Sequence, residues 1–236
     1  MGEKISALDA LERLASSPVF SSGSPPMDGL LGGGLRAGRV VEVYGKSGCG
    51  KTQLAMQAAL LVAARKEKAV FIDSEGAFRP ERVLAMARAR KQFSEGLLER
   101  IEYVRVTTAA AQSDAVRAIA KRSETAAARF VAIDTFTRNF TLDYPGHSNL
   151  QSRQGGLDVL LSDIARDAFI HGRAYLLANR VTFAEEGGET RIGGRTMEEL
   201  VHCSVHLEKS KEGVKATRVS DGATAQLGQI GDAGLL

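Results

Sequence analysis

Eight consecutive residues, Gly45-Lys46-Ser47-Gly48-Cys49-Gly50-Lys51-Thr52, are of the types and spacing that phosphate chemistry requires. The run reads G-x-x-x-x-G-K-T. It follows the apolar stretch 39–44 and leads into a helical stretch over 53–65. Glycines at 45, 48 and 50 let successive backbone N–H groups turn inward around a polyphosphate, and the following helix adds the partly positive end of its dipole. Lys51 can reach the β- and γ-phosphates, and the Thr52 hydroxyl is a ligand for Mg²⁺. A chance glycine-rich turn would lack the strand before and the helix after. The motif therefore marks Gly45, Lys46, Ser47, Gly48, Cys49, Gly50, Lys51, Thr52 and Gln53 as nucleotide-binding residues, with Mg²⁺ bound alongside.

Hydrolysis needs two further groups, one to hold the metal and one to position water. Asp134 ends the apolar run Phe130-Val131-Ala132-Ile133 and is placed to hold Mg²⁺ through its water shell; the alternative is an Asp that only caps the next turn. Glu75 lies two residues past Asp73, at the end of Ala69-Val70-Phe71-Ile72-Asp73. It can bring a carboxylate near the γ-phosphate, although a strand-terminal Glu is as commonly just solvated.

Placing these side chains together takes several parallel strands that end on one side. The run 69–73 has the continuous apolar character of a strand buried on both faces, and 101–106, 130–135 and 174–179 are further strand candidates. Helices are expected over 4–15, 80–93, 95–100, 109–128 and 150–171, the last placing Leu157, Leu160, Leu161, Ile164 and Ala168 on one side. Residues 20–35 read as a turn-rich stretch, 138–148 and 181–195 as irregular loops. Alternation over 204–208 and 213–219 around Lys209-Ser210-Lys211-Glu212 predicts a hairpin, with one more strand over 224–230. The predicted fold is α/β: a mostly parallel central sheet flanked by helices, with a C-terminal antiparallel extension. Residues 1–21 form a helix and linker, 22–236 the core.

At 236 residues the chain suffices for one sizeable α/β domain. Lysine and arginine exceed acids by 31 to 28, which permits a polyanionic partner without demanding one. The two cysteines, Cys49 and Cys203, read as free thiols of a reducing cytoplasm, because a disulfide at Cys49 would block the nucleotide. No run approaches the ~18 apolar residues of a membrane span, and the first residues lack a secretory apolar region.

Phe71-Ile72-Asp73-Ser74-Glu75-Gly76-Ala77-Phe78-Arg79-Pro80-Glu81-Arg82 resembles the signature Y-I-D-T-E-G-T-F-R-P-E-R of the archaeal RadA and eukaryotic recombinases of the RecA superfamily. The resemblance runs from about Ser22, through residues 28–34 (similar to L-D-x-L-L-G-G-G), the phosphate loop, Asp134, Leu150-Gln151-Ser152-Arg153-Gln154 (L-x-x-R-Q) and Gly193-Gly194, and weakens after Val219. It implies a RecA-type P-loop ATPase core with ATP and Mg²⁺ as cofactors. It also implies that Glu75 activates the hydrolytic water alongside Lys51, and that Arg82 lies against the adenine. Where the family has Asn-Gln at the end of the fifth strand, this chain has Asn179-Arg180. The guanidinium of Arg180 could contact phosphate oxygens or swing away toward DNA.

The family's two DNA-binding loops match 138–148 and 181–192, and Arg138, His147, Arg153, Arg191 and Arg195 are the candidate contacts to single-stranded DNA. The second loop is acidic, a poor electrostatic match to a phosphate backbone. The family's N-terminal helical domain and F-x-x-A docking segment find no match, and its Asp-Pro cap is reduced to Ser220-Asp221-Gly222. The chain thus resembles a core-only paralogue such as RadB. Its expected partners are single-stranded DNA and a full-length RadA-type recombinase or another paralogue. The expected function is slow ATP hydrolysis in support of recombinational repair. A nucleotide-switched regulator of a protein partner is the alternative, and an autonomous strand-exchange enzyme a third.

Overall fold

The computed structural model describes residues 6–122, 128–183 and 189–236. Residues 4–5 and 123–127 of the expected helices, and residues 184–188 of the second loop with its Glu185 and Glu186, lie outside them. Helix α1 (Ala7–Ser16) leads to strand β1 (Val19–Phe20), which pairs antiparallel with β2 (Leu35–Arg36) around helix α2 (Pro25–Leu30). Then follow β3 (Val40–Gly45), α3 (Lys51–Ala64), β4 (Ala69–Asp73), α4 (Pro80–Ala89), β5 (Ile101–Arg105), α5 (Ala109–Ala120) and β6 (Phe130–Asp134). Helices α6 (Arg138–Asp143) and α7 (Leu150–His171) precede β7 (Ala174–Phe183), β8 (Glu189–Arg191) and α8 (Gly194–Leu200). The chain continues through β9 (Cys203–Ser210), β10 (Gly213–Arg218) and β11 (Thr224–Leu227) to a terminal hairpin, β12 (Ile230–Gly231) and β13 (Gly234–Leu235).

The main sheet has the order β11-β10-β9-β3-β7-β6-β4-β5, with β8 on the extension of β7. Pairings from β9 through β3, β7, β6 and β4 to β5 are all parallel; β9-β10, β10-β11 and β7-β8 are antiparallel. Each central strand is apolar on both faces because each face is covered. Phe71, Phe130, Ala132 and Leu176 point into a core shared with α3 and α4, while Val70, Ile72, Val131, Ile133 and Leu177 point into one shared with α5 and α7. Helix α3 is apolar nearly all round, from Leu54 to Ala63, and is correspondingly buried.

Several local expectations change. The predicted loop at 138–148 begins as helix α6: Phe140 is buried and the Asp143 carboxylate accepts the Ala109 N–H at 2.7 Å, so this turn is pinned to the start of α5. Helix α4 stops at Ala89, Lys91 turns with φ +55°, and only a 3₁₀ turn forms at Leu98–Arg100. Helix α5 ends at Ala120, with Lys121 as its cap. The stretch 181–195 is more regular than its composition suggests, because β7 runs on to Phe183, pairs with β8, and Gly193 (φ +105°) opens α8. Within the turn-rich 20–35 stretch, Pro25 opens α2.

Candidate active site

The parallel strands bring their carboxyl ends to one side of the sheet, where ligands of open α/β sheets bind. Gly45 at the end of β3 pairs with Arg180 of β7, and Asp73 of β4 pairs with Asp134 of β6. Four segments far apart in sequence therefore meet at one sheet edge.

The phosphate loop is built from backbone that side chains would spoil. A Cβ on Gly45 would collide with the Leu207 carbonyl, and Gly50 caps α3 in the left-handed region at φ +93°. The Lys51 ammonium donates to the carbonyls of Gly45 (2.8 Å) and Lys46 (2.7 Å), so the cation sits at the mouth of the loop it serves. The Thr52 hydroxyl donates to Asp134, with Oδ1 at 3.0 Å and Oδ2 at 2.8 Å. Burial pushes the Asp134 carboxyl up to about 6, against the Thr52 hydrogen bond and the Lys51 charge, while the Asp73 carboxylate adds to the rise. A glycine cradle ending in one hydroxyl and one under-compensated carboxylate fits a hard cation that keeps most of its water and arrives with phosphate. Thr52 and Asp134 would hold Mg²⁺, Lys51 and the loop amides the polyphosphate, and the bound nucleotide would supply the phosphoryl group.

Glu75 lines the same cleft, of about 270 Å³, with Lys51, Thr52, Thr135, Arg180 and Ile230. One of its oxygens, Oε2, accepts from the Thr135 hydroxyl at 2.9 Å, and the other pairs with the Arg180 guanidinium. Two further residues, Asp73 and Thr135, support Glu75. Asp73 is fully buried and accepts from the backbone N–H of Glu75 (2.8 Å), Gly76 (2.6 Å) and Phe78 (3.0 Å), shaping the turn that carries Glu75. Its signal was legible as an Asp followed by Ser-Glu-Gly, the composition of an Asx turn. Thr135 holds φ at +56°, a strained value for a β-branched residue. No sequence signal marked it. A larger cleft, about 580 Å³ between Phe20, Leu61 and Arg90, contains none of these groups.

A sequence model of the Rad51 family matches residues 17–226. The chain belongs to the Rad51 family. RecA-like ATPases of recombination and DNA repair make up this family; they use ATP with Mg²⁺, bind DNA, and form filaments or paralogue complexes. Its fold is RecA-type: an α/β architecture with a mostly parallel central sheet flanked by helices and antiparallel strands at the C-terminus. No described helix is long and apolar enough to cross a membrane.

Within this Rad51-family core the remaining predicted residues divide. Gln53 lines the cleft, and its Oε1 accepts from Arg82 Nε at 3.0 Å. The other Arg82 nitrogens donate to the carbonyls of Gly231 (2.5 Å) and Asp232 (3.3 Å), so the terminal hairpin, beyond the family match, holds this guanidinium on the flank of the site. Ser47, Gly48 and Gly50 line the cleft; Cys49 is buried beneath it. Gln154 of α7 ties that helix to the start of α8, its Nε2 donating to the Gly193 carbonyl at 3.0 Å. His147 is exposed, Arg153 donates to the Tyr144 carbonyl, Arg138 to the Ser74 carbonyl, and Arg195 pairs with Glu199 at 86% side-chain exposure. Arg191 does not face outward as expected. Only 8% of its side chain is exposed, and its guanidinium is bound to Glu42 at 3.0 Å, Ser204 at 2.8 Å and Glu198 at 3.1 Å, which fixes β8 to the sheet.

Proposed function

We propose that this chain is an ATP-binding, slowly hydrolysing paralogue of the RadA type, resembling RadB, which binds single-stranded DNA and assists a full-length recombinase in the cytoplasm. The carrying observation is the convergence of Lys51, Thr52, Asp134 and Glu75 on one cleft from the ends of three strands. Lys51 neutralises the transferring phosphoryl group, Thr52 and Asp134 hold Mg²⁺, and Glu75 orients the attacking water. Arg82 lies against the base. Arg138, His147, Arg153 and Arg195 lie on the elements around Gln154 and would supply the DNA contacts; the buried Arg191 is not among them. The test is binding of the purified protein to labelled single-stranded DNA with ATP and Mg²⁺, together with strand exchange by its cognate recombinase. Binding that weakens steeply between about 50 and 200 mM salt, and a changed exchange rate, are expected. Loss of both effects would overturn the DNA assignment.

The burial of Arg191 and the pairing of Arg195 with Glu199 reduce the free positive charge near the loops, and so favour a second reading. In that reading the ATPase switches a protein partner without touching DNA. ATP-dependent association with the cognate recombinase, without salt-dependent DNA affinity, would establish it.

A further inference from the structure

At the amino-terminal end of β3, about 20 Å along the strand from the phosphate loop, a short turn sets two arginines side by side. The Arg39 N–H donates to the Arg36 carbonyl at 3.2 Å and Gly38 holds φ at +81°, as in a type II turn, so Arg36 and Arg39 take its two closing positions. Both inner residues are tied down: the Ala37 N–H donates to the Pro18 carbonyl (2.8 Å) and the Gly38 N–H to the Arg173 carbonyl (3.0 Å). His202, just before β9, is fixed from the same strand. Its N–H donates to the Val40 carbonyl at 2.9 Å, and its Nδ1 accepts the Val40 N–H at 3.1 Å. An Nδ1 that accepts carries no proton, so the neutral ring holds its proton on Nε2, as a donor. Burial, together with the Arg39 charge, lowers the pKa of this ring and keeps it neutral.

Arg36, Arg39 and His202 line one cavity of about 330 Å³, with Leu31, Val41 and Cys203. Among the described residues no carboxylate lines it, and none pairs with Arg39. Elsewhere the fold compensates its arginines: Arg117, Arg122, Arg173 and Arg191 each meet a carboxylate, and Arg218, whose charge reaches Cys203, is taken by Asp221 at 2.5 Å. The cavity is thus a set of donors on a fixed frame, with the acceptor missing.

We propose that this pocket binds a phosphate monoester. A terminal phosphate offers three oxygens and nearly two charges, enough for the planar fork of Arg39 and the His202 Nε2–H together, with the Arg36 charge across the turn. A carboxylate or a backbone phosphodiester brings one charge and two terminal oxygens. Leu31 and Val41 give the carbon skeleton of the ester an apolar wall. The ester belongs to a small phosphorylated metabolite or to the 5′-phosphate of a nucleic-acid strand; the chemistry at the pocket is the same for both. The site stands apart from the nucleotide cleft and does not depend on hydrolysis there.

Cys203 reports on occupancy, because it is partly buried in the pocket wall whereas Cys49 is fully buried. The rate of Cys203 alkylation by iodoacetamide is followed by peptide mass spectrometry at constant ionic strength, with ribose 5-phosphate, a 5′-phosphorylated oligothymidylate, its 5′-hydroxyl counterpart, a polyglutamate peptide or chloride alone. The two monoesters are expected to slow labelling, by roughly tenfold at ten times the dissociation constant, and the other three to leave it unchanged. Arg39→Gln, and His202→Asn, which keeps an acceptor for the Val40 N–H, should each weaken protection by about tenfold or more, with thermal melts and ATP hydrolysis as in wild type. Protection at equal concentrations of sugar phosphate and phosphorylated strand assigns the small ester; protection by the strand at about a hundredfold lower concentration assigns the nucleic-acid end. Equal protection by the 5′-hydroxyl strand, or protection by polyglutamate alone, would overturn the proposal in favour of a diester or an acidic protein segment. So would an effect matched by chloride, no protection by either monoester, or protection that survives Arg39→Gln and is lost in Lys51→Ala, which would place the ester in the phosphate loop.

Discussion

Two buried aspartates, one at each edge of the sheet, show how differently the same group can be used. At the amino-terminal edge, Asp167 of α7 is 1% exposed in its side chain and surrounded by donors: Arg173, the Tyr175 hydroxyl at 2.5 Å and His171 Nδ1 at 2.8 Å. Arg173 is itself fully buried and donates to the Ala128 carbonyl at 3.1 Å. At the carboxyl edge, Asp134 is as deeply buried, yet its side-chain partner in the chain is the neutral Thr52 hydroxyl, and burial raises its pKa to about 6. The first carboxylate is neutralised by a permanent part of the fold. The second is left under-compensated where a cation can complete it. The arginines divide the same way: Arg173 and Arg191 are buried and committed, whereas Arg180 is half-exposed and shared.

The widest separation between the two edges should appear in turnover. Glu75→Gln keeps the shape and the Thr135 contact but removes the base, and is expected to lower ATP hydrolysis about 10²- to 10⁴-fold with nucleotide binding retained. Normal hydrolysis by this variant would remove Glu75 from the mechanism. The opposite edge should respond in stability instead. Arg173→Leu leaves Asp167 buried without its permanent cation, which costs about 3–5 kcal/mol. Denaturant unfolding measures that loss, and turnover at low temperature should stay near wild type. A loss below about 1 kcal/mol would mean that Tyr175 and His171 suffice, and that the compensation described above is not what holds the knot.

How much of this could be read from the chain follows the range of each interaction. Strands β3, β4, β6 and β7 announce themselves by continuous apolar runs, and the phosphate loop by its spacing, because both signals are local. Gln154 is legible only as part of a motif; that it ties α7 to the start of α8 through Gly193 depends on how α7 packs. Arg191 was misplaced for the same reason. Its neighbours in sequence suggest an exposed loop, but its partner Glu42 lies 149 residues away on β3, and that pair decides its burial. Helix α6 follows from a side chain of its own reaching across to Ala109. The terminal hairpin is too short to show periodicity, and it is fixed by Gln57, which exchanges hydrogen bonds with Leu235 at both ends of its amide (2.9 Å each).

A smaller effect probes Asp134 directly, in the absence of nucleotide and metal. Its pKa is higher in the folded chain, about 6, than the ordinary 3.8, so the folded state holds the proton more tightly than the unfolded one. Stability from this group is therefore fully present below pH 4 and is lost as pH rises through about 6. Asp134→Asn keeps an acceptor for Thr52 and does not titrate. The variant should match wild type near pH 4 and become more stable as pH rises, by up to about 3 kcal/mol at pH 7.5 if the whole shift is expressed. Urea unfolding at a series of pH values measures the difference. A gain that does not vary with pH would show that Asp134 is compensated within the fold as Asp167 is, and the contrast between the two edges would disappear. The same variant should gain less from added ATP and Mg²⁺ than wild type does, because a ligand stabilises only as far as it binds the folded chain.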